Sequence, residues 1–480
     1  MLFNSWQFAV FLPIVFILYW SINSQKIRIY LLLISSYYFY MSWNVKYIAL
    51  ILLTTLISFS CAIIIEKYER YKRAALCASL ISCLGVLFIF KYFNFFNYNL
   101  IKFLNSFALN LHPVTLKLML PVGISFYTFQ TLSYVIDVYN KKIKAERNFA
   151  VYAAFISFFP QLVAGPIERA ENLLPQIKAK HEFNYDQAAY GLKLIMLGLF
   201  KKLVIADNLA LSVDAVYNNL NNYTGFSLVT AALFFTFQIY CDISGYSDIA
   251  RGSAKLMGIN LIENFRAPYF ASSLREFWSR WHISLSTWFR DYLYIPLGGN
   301  RVNKLRHNFN LLITFLISGL WHGADWTFII WGGLHGLGQI IENLFRVKRD
   351  AKQNILVRFL KIIKIICVFI FVSLLWIFFR AQSLSDAVYV FAHMFDGINN
   401  FSFYIKNGFD AVYGEKRFYM GLTLILIIYD LIFALKDKEP LELLSKYNIF
   451  VRWSFYILIG FIIVFFSQKG AGTEFVYFQF

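Results

Sequence analysis

Long apolar stretches with almost no charged residues recur along the whole chain, and they are the sequence feature that most constrains its fold. Most are long enough to cross roughly 30 Å of hydrocarbon as a helix. They are Trp6–Ile22, Ile29–Trp43, Tyr47–Ile65, Ala74–Phe90, Leu118–Ile136, Phe149–Pro166, Gly225–Cys241, Phe309–Trp321, Trp326–Ile341, Ile362–Phe379, Phe418–Leu435 and Ser454–Ser467. Hydrocarbon offers no water to the backbone, so each crossing segment must satisfy its hydrogen bonds internally. The sequence therefore predicts an all-α, multi-pass integral membrane protein with about 11 transmembrane helices.

Composition supports a membrane protein and one continuous membrane domain. Of the 480 residues, 59% are hydrophobic and 15% are charged, whereas soluble domains have roughly 45–50% and about 25%. Residues 188–206 carry three lysines, so we interpret this segment as re-entrant or interfacial. The cysteines form no C-x-x-C pair and are interpreted as core residues. A Walker-type phosphate loop and internal repeats are absent from the sequence, which predicts a single domain over residues 1–480.

The basic residues predict the orientation in the membrane. A net charge of +18 would suggest nucleic acid binding in a soluble protein, but here the charge lies in loops, where it can meet anionic lipid headgroups. The short basic loops 66–73, 140–147 and 345–353 are expected in the cytoplasm. Counting helices outward from them places both the N-terminus and the C-terminal aromatic tail, residues 469–480, on the extracytoplasmic side.

Residues 242–308 mix charge with Arg, Trp and Tyr too evenly to span lipid. We expect the regular helix to stop at Asp242 and this block to form short re-entrant or interfacial helices on the cytoplasmic side. Asp242, Asp248 and Arg251 follow an apolar run directly, where uncompensated charge costs several kcal/mol. This cost favours a functional role for the block, with a basic anchoring collar as the alternative.

Two histidines, His322 and His335, lie in the apolar segment SGLWHGADWTFIIWGGLHG, residues 318–336. A lone histidine in such a helix is more often a hydrogen-bonded core residue, but buried ionisable groups in membrane segments are functional candidates. In one continuous helix the two rings would lie about 20 Å apart on different faces, so no metal site is expected. Gly323 and Asp325 give His322 space and a carboxylate, which favours acid–base chemistry there.

Six segments carry a resemblance to a known family. They are LPVGISFYTFQTLSYVIDVY (120–139), FFPQLVAGPIERA (158–170), IYCDISGYSDIARG (239–252), FWSRWHISLSTWFRDYLYIPLGGN (277–300), SGLWHGADWTFIIWGGLHG (318–336) and FVYFQF (475–480). The chain resembles the bacterial branch of the membrane-bound O-acyltransferase (MBOAT) family, and within it the alginate and peptidoglycan O-acetyltransferases. That resemblance implies a ring of tilted helices around a thin centre, with a cytoplasmic tunnel for acyl-CoA and an outer funnel for the acceptor.

The resemblance also implies roles for individual residues. His322 corresponds to the family's invariant histidine and would act as general base, while His282, in RWHISLS, corresponds to a second family histidine and is a candidate oxyanion donor. His335 is expected to be structural. Arg275, Arg280 and Arg290 are candidates for holding the phosphates of CoA, although any basic collar would supply such residues. Acetyl-CoA is expected as the acyl-donor substrate, with no bound cofactor and no metal.

The tail and the outer loops predict an acyl relay and a partner. FVYFQF resembles the ending of a small membrane protein of teichoic-acid D-alanylation systems, which implies a relay role for Tyr477; an interfacial aromatic anchor is the alternative. The outer loops contain no G-x-S-x-G motif, so we expect that another protein finishes the transfer. The resemblance implies that this partner is an exported SGNH or Ser-His-Asp-type acetyltransferase.

The acceptor is expected to be a cell-envelope polysaccharide at a bacterial inner membrane. Peptidoglycan is the first candidate, and an alginate-like exopolysaccharide is the alternative. A lipid-linked sugar transporter or flippase would be a different class of protein, but the sequence lacks the two related halves that such proteins show.

Overall fold

The computed structural model describes residues 1–163, 165–345, 355–413, 417–467 and Phe475. Regular structure within these residues is helical, which confirms the all-α prediction. The chain divides into two compact units: residues 1–195 with 247–262, and residues 196–246 with 263–480. The assignment of residues 1–480 to one membrane domain stays a prediction.

The first unit is built mainly from the N-terminal helices. These are α1 (Trp6–Ser21), α2 (Gln25–Met41), α3 (Ile48–Lys67), α4 (Lys72–Leu87), α5 (Phe93–Asn105), α6 (Ile124–Tyr139), α7 (Phe149–Ser157), α8 (Phe159–Leu162), α9 (Ala170–Lys178) and α10 (Tyr185–Leu199), the last of which ends in the second unit. A π-helical turn, Phe88–Tyr92, joins α4 to α5.

The second unit contains the remaining helices. These are α11 (Asp207–Tyr217), α12 (Phe226–Leu256), α13 (Leu274–Arg280), α14 (Ile283–Phe289), α15 (Lys304–His322), α16 (Trp326–Leu344), α17 (Ile355–Arg380), α18 (Leu384–His393), α19 (Phe401–Tyr413), α20 (Arg417–Lys436), α21 (Pro440–Leu444) and α22 (Ile449–Phe466). The last ten residues of α12 belong to the first unit. Two further π-helical segments are Phe200–Ala206 and Arg290–Tyr294.

Several helices are long and apolar enough to cross a membrane. Among the described residues there are five such segments: Val45–Lys67, Glu69–Asn105, Phe226–Leu256, Val357–Arg380 and Ile449–Phe466. The shorter α1 is also apolar. Cys77 and Cys367 are exposed on helices of this kind, so the interpretation of all five cysteines as core residues is wrong for these two.

The apolar run Phe149–Pro166 is not one helix. It breaks at Phe158, between α7 and α8, and this residue is fully buried. Pro160 has no N–H to donate to the carbonyl of Ile156, so α7 cannot continue through it, whereas the first turn of a new helix tolerates a proline. Surrounding protein shields the interrupted backbone, which is the condition for such a break at membrane depth.

The expected end of the regular helix at Asp242 is wrong, because α12 continues without interruption to Leu256. In the second unit the Asp242 carboxylate lies 2.7 Å from the buried ammonium of Lys202. The charge is therefore compensated, and the helix need not stop where the charge begins. Beyond residue 262 the block does consist of short helices, as expected: α13, α14 and the π-helical segment Arg290–Tyr294.

Candidate active site

His322 is the last residue of α15 and is only 2% exposed. The chain then leaves helical geometry at Gly323, and Asp325 begins α16 by accepting a hydrogen bond from the N–H of Thr327 at 2.9 Å. Helices α15 and α16 pack against each other as a hairpin. His322 thus lies at the closed end of this hairpin.

Glycines make the hairpin close enough to bury His322. A Cβ on Gly323 would lie 2.2 Å from the ring of Phe328, and a Cβ on Gly319 would lie 2.2 Å from the carbonyl oxygen of Phe328. A larger residue at Gly319 would require movement of the α16 backbone, and one at Gly323 would require movement of the Phe328 ring or of α16. The space that Gly323 leaves is therefore filled by an aromatic ring, not by a polar group.

Aromatic rings enclose the His322 imidazole. The ring centroids of Trp321, Trp331 and Phe379 lie 4.9, 5.1 and 5.3 Å from it, with interplanar angles of 80°, 90° and 69°. Edge-to-face packing of this kind fixes the plane of the imidazole and excludes water. A base held in such surroundings can take a proton from a hydroxyl that is brought to it without competition from solvent.

His282 lies between α13 and α14 in a left-handed backbone conformation, with φ of +43°, and is 1% exposed. This conformation costs a non-glycine residue roughly 1–2 kcal/mol. The flanking backbone is fixed by the segment before it: the N–H of Ile283 donates to the carbonyl of Asn264, and the N–H of Arg266 donates to the carbonyl of Arg280. These backbone hydrogen bonds therefore stabilise the strained conformation of His282.

The protonation state of His282 suits a hydrogen-bond donor. Burial lowers its pKa to about 3, so the ring is neutral at pH 7 and carries one N–H. A neutral N–H can stabilise a developing oxyanion without bringing a second buried charge into the site.

The structure brings His282 and His322 into one aromatic cluster. The indole of Trp321 contacts both imidazoles, with centroid distances of 6.4 Å to His282 and 4.9 Å to His322. The two histidines that the resemblance singled out therefore belong to one site in the second unit.

His335 lies in the same cluster, through a different tryptophan. Its ring centroid is 5.0 Å from that of Trp331, which also contacts His322 at 5.1 Å. The separation of about 20 Å expected for His322 and His335 in one continuous helix therefore does not apply. The two residues lie on different helices of a hairpin, and both rings contact the indole of Trp331. Within the described part of the chain neither ring nitrogen of His335 has a hydrogen-bond partner, and its structural role stays a prediction. No group of three or more metal-ligating side chains occurs among the described residues.

The three predicted CoA-binding arginines lie close together in sequence, on α13 and at the start of the π-helical segment Arg290–Tyr294. Arg280 pairs with Glu276 at 2.6 Å and Arg290 with Asp291 at 2.8 Å, while Arg275 is exposed. Arg290 is exposed as well, and Arg280 is half-buried. Phosphate would have to displace or share the carboxylates beside Arg280 and Arg290. Tyr477 lies outside the described residues.

Two groups of site residues were not found from the sequence. Asn264 is 1% exposed, and its side-chain oxygen accepts hydrogen bonds from the N–H and hydroxyl of Ser284; no sequence signal marks it. Lys202, in the segment interpreted as re-entrant or interfacial, is 1% exposed and lies between Asp207 and Asp242. Asp242 and Lys202 carry opposite charges next to apolar sequence, and this was the signal in the sequence that could have indicated a buried ion pair.

One family profile and several known proteins are similar to this chain. The profile of the MBOAT, membrane-bound O-acyltransferase family, matches residues 37–385, which include His282 and His322. The peptidoglycan O-acetyltransferase of Helicobacter pylori is 35% identical over 531 aligned positions, covering 100% of this chain and 98% of the relative.

Two other relatives match less of the chain. The probable alginate O-acetylase AlgI of Pseudomonas aeruginosa is 41% identical over 399 residues, covering 82% of this chain and 75% of the relative. The teichoic acid D-alanyltransferase of Streptococcus thermophilus is 30% identical over 243 residues, covering 48% of this chain and 58% of the relative.

Proposed function

The chain belongs to the membrane-bound O-acyltransferase family, and from that membership we propose that it moves acetyl groups from cytoplasmic acetyl-CoA across the membrane for O-acetylation of peptidoglycan. The observation that carries the proposal is the match to a peptidoglycan O-acetyltransferase over the full length of both chains. The same match includes the C-terminal tail, which the proposed relay requires. An alginate-like exopolysaccharide is the second candidate acceptor, because AlgI has a higher percentage identity, 41% against 35%, over a shorter region.

The proposed chemistry begins with attack on a thioester. A hydroxyl oxygen bonds to the acetyl carbonyl carbon of acetyl-CoA while His322 removes the hydroxyl proton. The N–H of His282 stabilises the oxyanion that forms on the carbonyl oxygen. When the C–S bond breaks, the proton on His322 passes to the CoA thiolate, and an oxygen ester and free CoA result. Proton and charge balance at the end of the step, and His322 is again neutral.

We propose that the first acceptor hydroxyl is the phenol of Tyr477. A thioester in the cytoplasm and a glycan outside cannot meet across a bilayer, whereas an acetylated tail can present its ester outward. A phenyl ester stays activated, because phenoxide, with a parent pKa of about 10, leaves more readily than an alkoxide. A second transfer to an exported SGNH or Ser-His-Asp-type partner would then regenerate the phenol and deliver acetyl to the glycan.

The finer architecture follows the same proposal. About 11 transmembrane helices would surround a thin centre, with a cytoplasmic tunnel for acetyl-CoA and an outer funnel for the tail and its partner. Both termini would lie outside a bacterial inner membrane. Arg275, Arg280 and Arg290 would meet the CoA phosphates at the cytoplasmic mouth, with the exposed Arg275 and Arg290 making the first contacts.

The test is acetylation in cells that lack their own enzyme. This chain is expressed together with its exported partner, and ester-linked acetate is released by mild base from purified peptidoglycan and, separately, from exopolysaccharide. We expect acetate on peptidoglycan, and none when His322→Ala replaces the wild-type chain. Acetate on the exopolysaccharide alone would assign the second acceptor, and transport of a lipid-linked sugar without acetate on either polymer would contradict acyl transfer.

A further inference from the structure

A buried charge cluster lies in the second unit, and the proposed acyl transfer makes no use of it. The ammonium of Lys202 lies 2.8 Å from Asp207 and 2.7 Å from Asp242, and all three side chains are at most 2% exposed. Removing such charges from water costs several kcal/mol of desolvation free energy per ion, which their mutual attraction must offset. Charged groups retained inside a membrane protein at this cost are functional candidates.

Local helix geometry places Lys202 in the interior. It lies in the π-helical segment Phe200–Ala206, a widened turn of the kind that is frequent at functional sites. Lys201, the preceding residue, is also buried, but its ammonium faces the rings of Tyr240 and Tyr429 at 5.8 and 5.7 Å. The two neighbouring lysines therefore contact different tyrosines.

The ring next to Lys202, that of Tyr246, contacts Phe475 near the C-terminus. The ammonium of Lys202 lies 5.6 Å from the ring centroid of Tyr246. The ring of Phe475, the first residue of FVYFQF, lies 4.3 Å from the same Tyr246 ring and is fully buried. The cation and the two aromatic rings thus form one continuous contact, with the acidic pair holding the cation in place.

The chain is also held just before the tail begins. The side-chain amide of Asn208 donates to the carbonyl of Phe466, the last residue of α22, at 3.0 Å. It donates to the carbonyl of Val204, in the π-helical segment, at 2.9 Å as well. The chain is therefore bound by Asn208 at Phe466 and by Tyr246 at Phe475.

We propose that Lys202, Asp207, Asp242, Tyr246 and Asn208 form a binding site for the C-terminal segment of this same chain, named here the tail seat. Phe475 is the residue that it binds. Two peptide units hold the Cα of residue 477 within about 7 Å of the Cα of residue 475, so the tail seat restricts where the Tyr477 phenol can go. Lys202 is a positioning residue in this scheme, acting through Tyr246 and Phe475. The role in acyl relay rests on the proposed function, whereas binding of the tail does not.

The tail seat is tested by hydrogen–deuterium exchange of the full-length chain in nanodiscs, followed in peptides that contain Phe475. In Phe475→Ala and in Tyr246→Leu, we expect exchange there to become about tenfold faster or more, because burial of an aromatic ring and its stacking are lost. The triple variant Lys202→Met/Asp207→Asn/Asp242→Asn should have the same effect. It removes the cation without leaving a buried charge unpaired, and peptides of α15, in the same unit, report whether that unit is folded.

Lys201→Met is the matched control, because it removes a neighbouring buried ammonium that faces other tyrosines; exchange at Phe475 should stay at the wild-type rate. Unchanged exchange in both Phe475→Ala and Tyr246→Leu would overturn the tail seat. The relay is tested separately by Tyr477→Phe, which should stop acetylation while leaving this exchange unchanged. If Tyr477→Phe remains active but the other variants lose protection, the tail seat stands and the relay is wrong.

Discussion

His282 and His322 contact the same indole ring, that of Trp321, although one lies in a strained loop after α13 and the other ends α15. The loop supplies a neutral N–H donor, and the helix end supplies an imidazole in a water-poor aromatic enclosure. A base and an oxyanion donor are the two groups that acyl transfer to a hydroxyl needs most. Their convergence leads to the first prediction.

Replacing the three clustered histidines by alanine should lower acetylation to different extents. His322→Ala should reduce the rate by about 10²–10⁴-fold, the usual value of a general base. His282→Ala should be severe, since one oxyanion donor contributes about 10²–10³-fold. His335→Ala should be milder because that ring packs in the cluster without a predicted chemical role. Ester-linked acetate on purified polymer measures all three, with membrane-inserted protein quantified in each. Near wild-type acetylation in His322→Ala would exclude the proposed base.

Tyr477→Phe should abolish acetylation of the polymer. The substitution keeps an aromatic ring at the end of the chain and removes only the hydroxyl that would carry acetyl. The measurement is ester-linked acetate on polymer from cells that also produce the exported partner. Phe480→Leu is a useful companion, since it alters the aromatic character of the tail without touching a hydroxyl and should retain activity. Normal acetylation by Tyr477→Phe would leave the tail with an anchoring role only.

The purified chain alone should not esterify a glycan. With acetyl-CoA on the cytoplasmic face of proteoliposomes and glycan on the other, we expect no acetylated sugar until the exported partner is added. The reason is that the relay ends at an acyl-tyrosine, which still needs a catalyst that binds the glycan. Mass spectrometry of the glycan gives the answer, and esterified sugar in the absence of the partner would contradict the requirement.

Gly323→Ala should destabilise the protein by about 1–3 kcal/mol. A Cβ at this position would lie 2.2 Å from the Phe328 ring, so α16 or the ring must move, and His322 lies next to the disturbed turn. Gly85→Ala is the matched control, because a Cβ there meets nothing within 4 Å and alanine is favoured in a helix interior. Thermal unfolding in detergent should show a lower midpoint for Gly323→Ala and an equal or higher one for Gly85→Ala. Equal midpoints for the wild-type protein, Gly323→Ala and Gly85→Ala would show that the hairpin accommodates the extra methyl group without loss of stability.

Glu168 should make stability depend on pH. Its side chain is fully buried in the loop before α9, and burial raises its pKa to about 7, although Asn172 and the N–H of Ile262 donate to it. The folded protein therefore keeps a proton that the unfolded chain loses above pH 4.5. Stability should fall as pH rises from about 4.5 to about 7, by about 3 kcal/mol at most, and level off above that.

Glu168→Gln should lose this dependence, because a neutral amide does not titrate and Asn172 can turn its own amide to accept from it. Unfolding midpoints between pH 4.5 and pH 8 test both proteins in the same detergent. A midpoint for the wild-type chain that rises with pH in this range would show that Glu168 ionises in the folded state.

Several features could be predicted from local sequence. Apolar run length predicted an all-helical membrane protein, and the charge density beyond residue 262 predicted the short helices α13 and α14. The motifs around His282 and His322 predicted the residues of the candidate site. Each of these predictions depends on a property of a few consecutive residues: hydrophobicity, charge density, or a short pattern shared with a family.

Other features depended on which parts of the chain meet. Whether α12 could continue past Asp242 was decided by Lys202, which lies 40 residues earlier and supplies the opposite charge. The hairpin that brings His335 and His322 to one indole, and the contact of Phe475 with Tyr246, likewise join residues that no local pattern relates. Hydrophobicity determines that a segment is buried, but the partner of a buried charge or ring is set by packing in three dimensions. In a low-dielectric interior that partner decides whether the charge breaks a helix, as the sequence suggested for Asp242, or is stabilised within it.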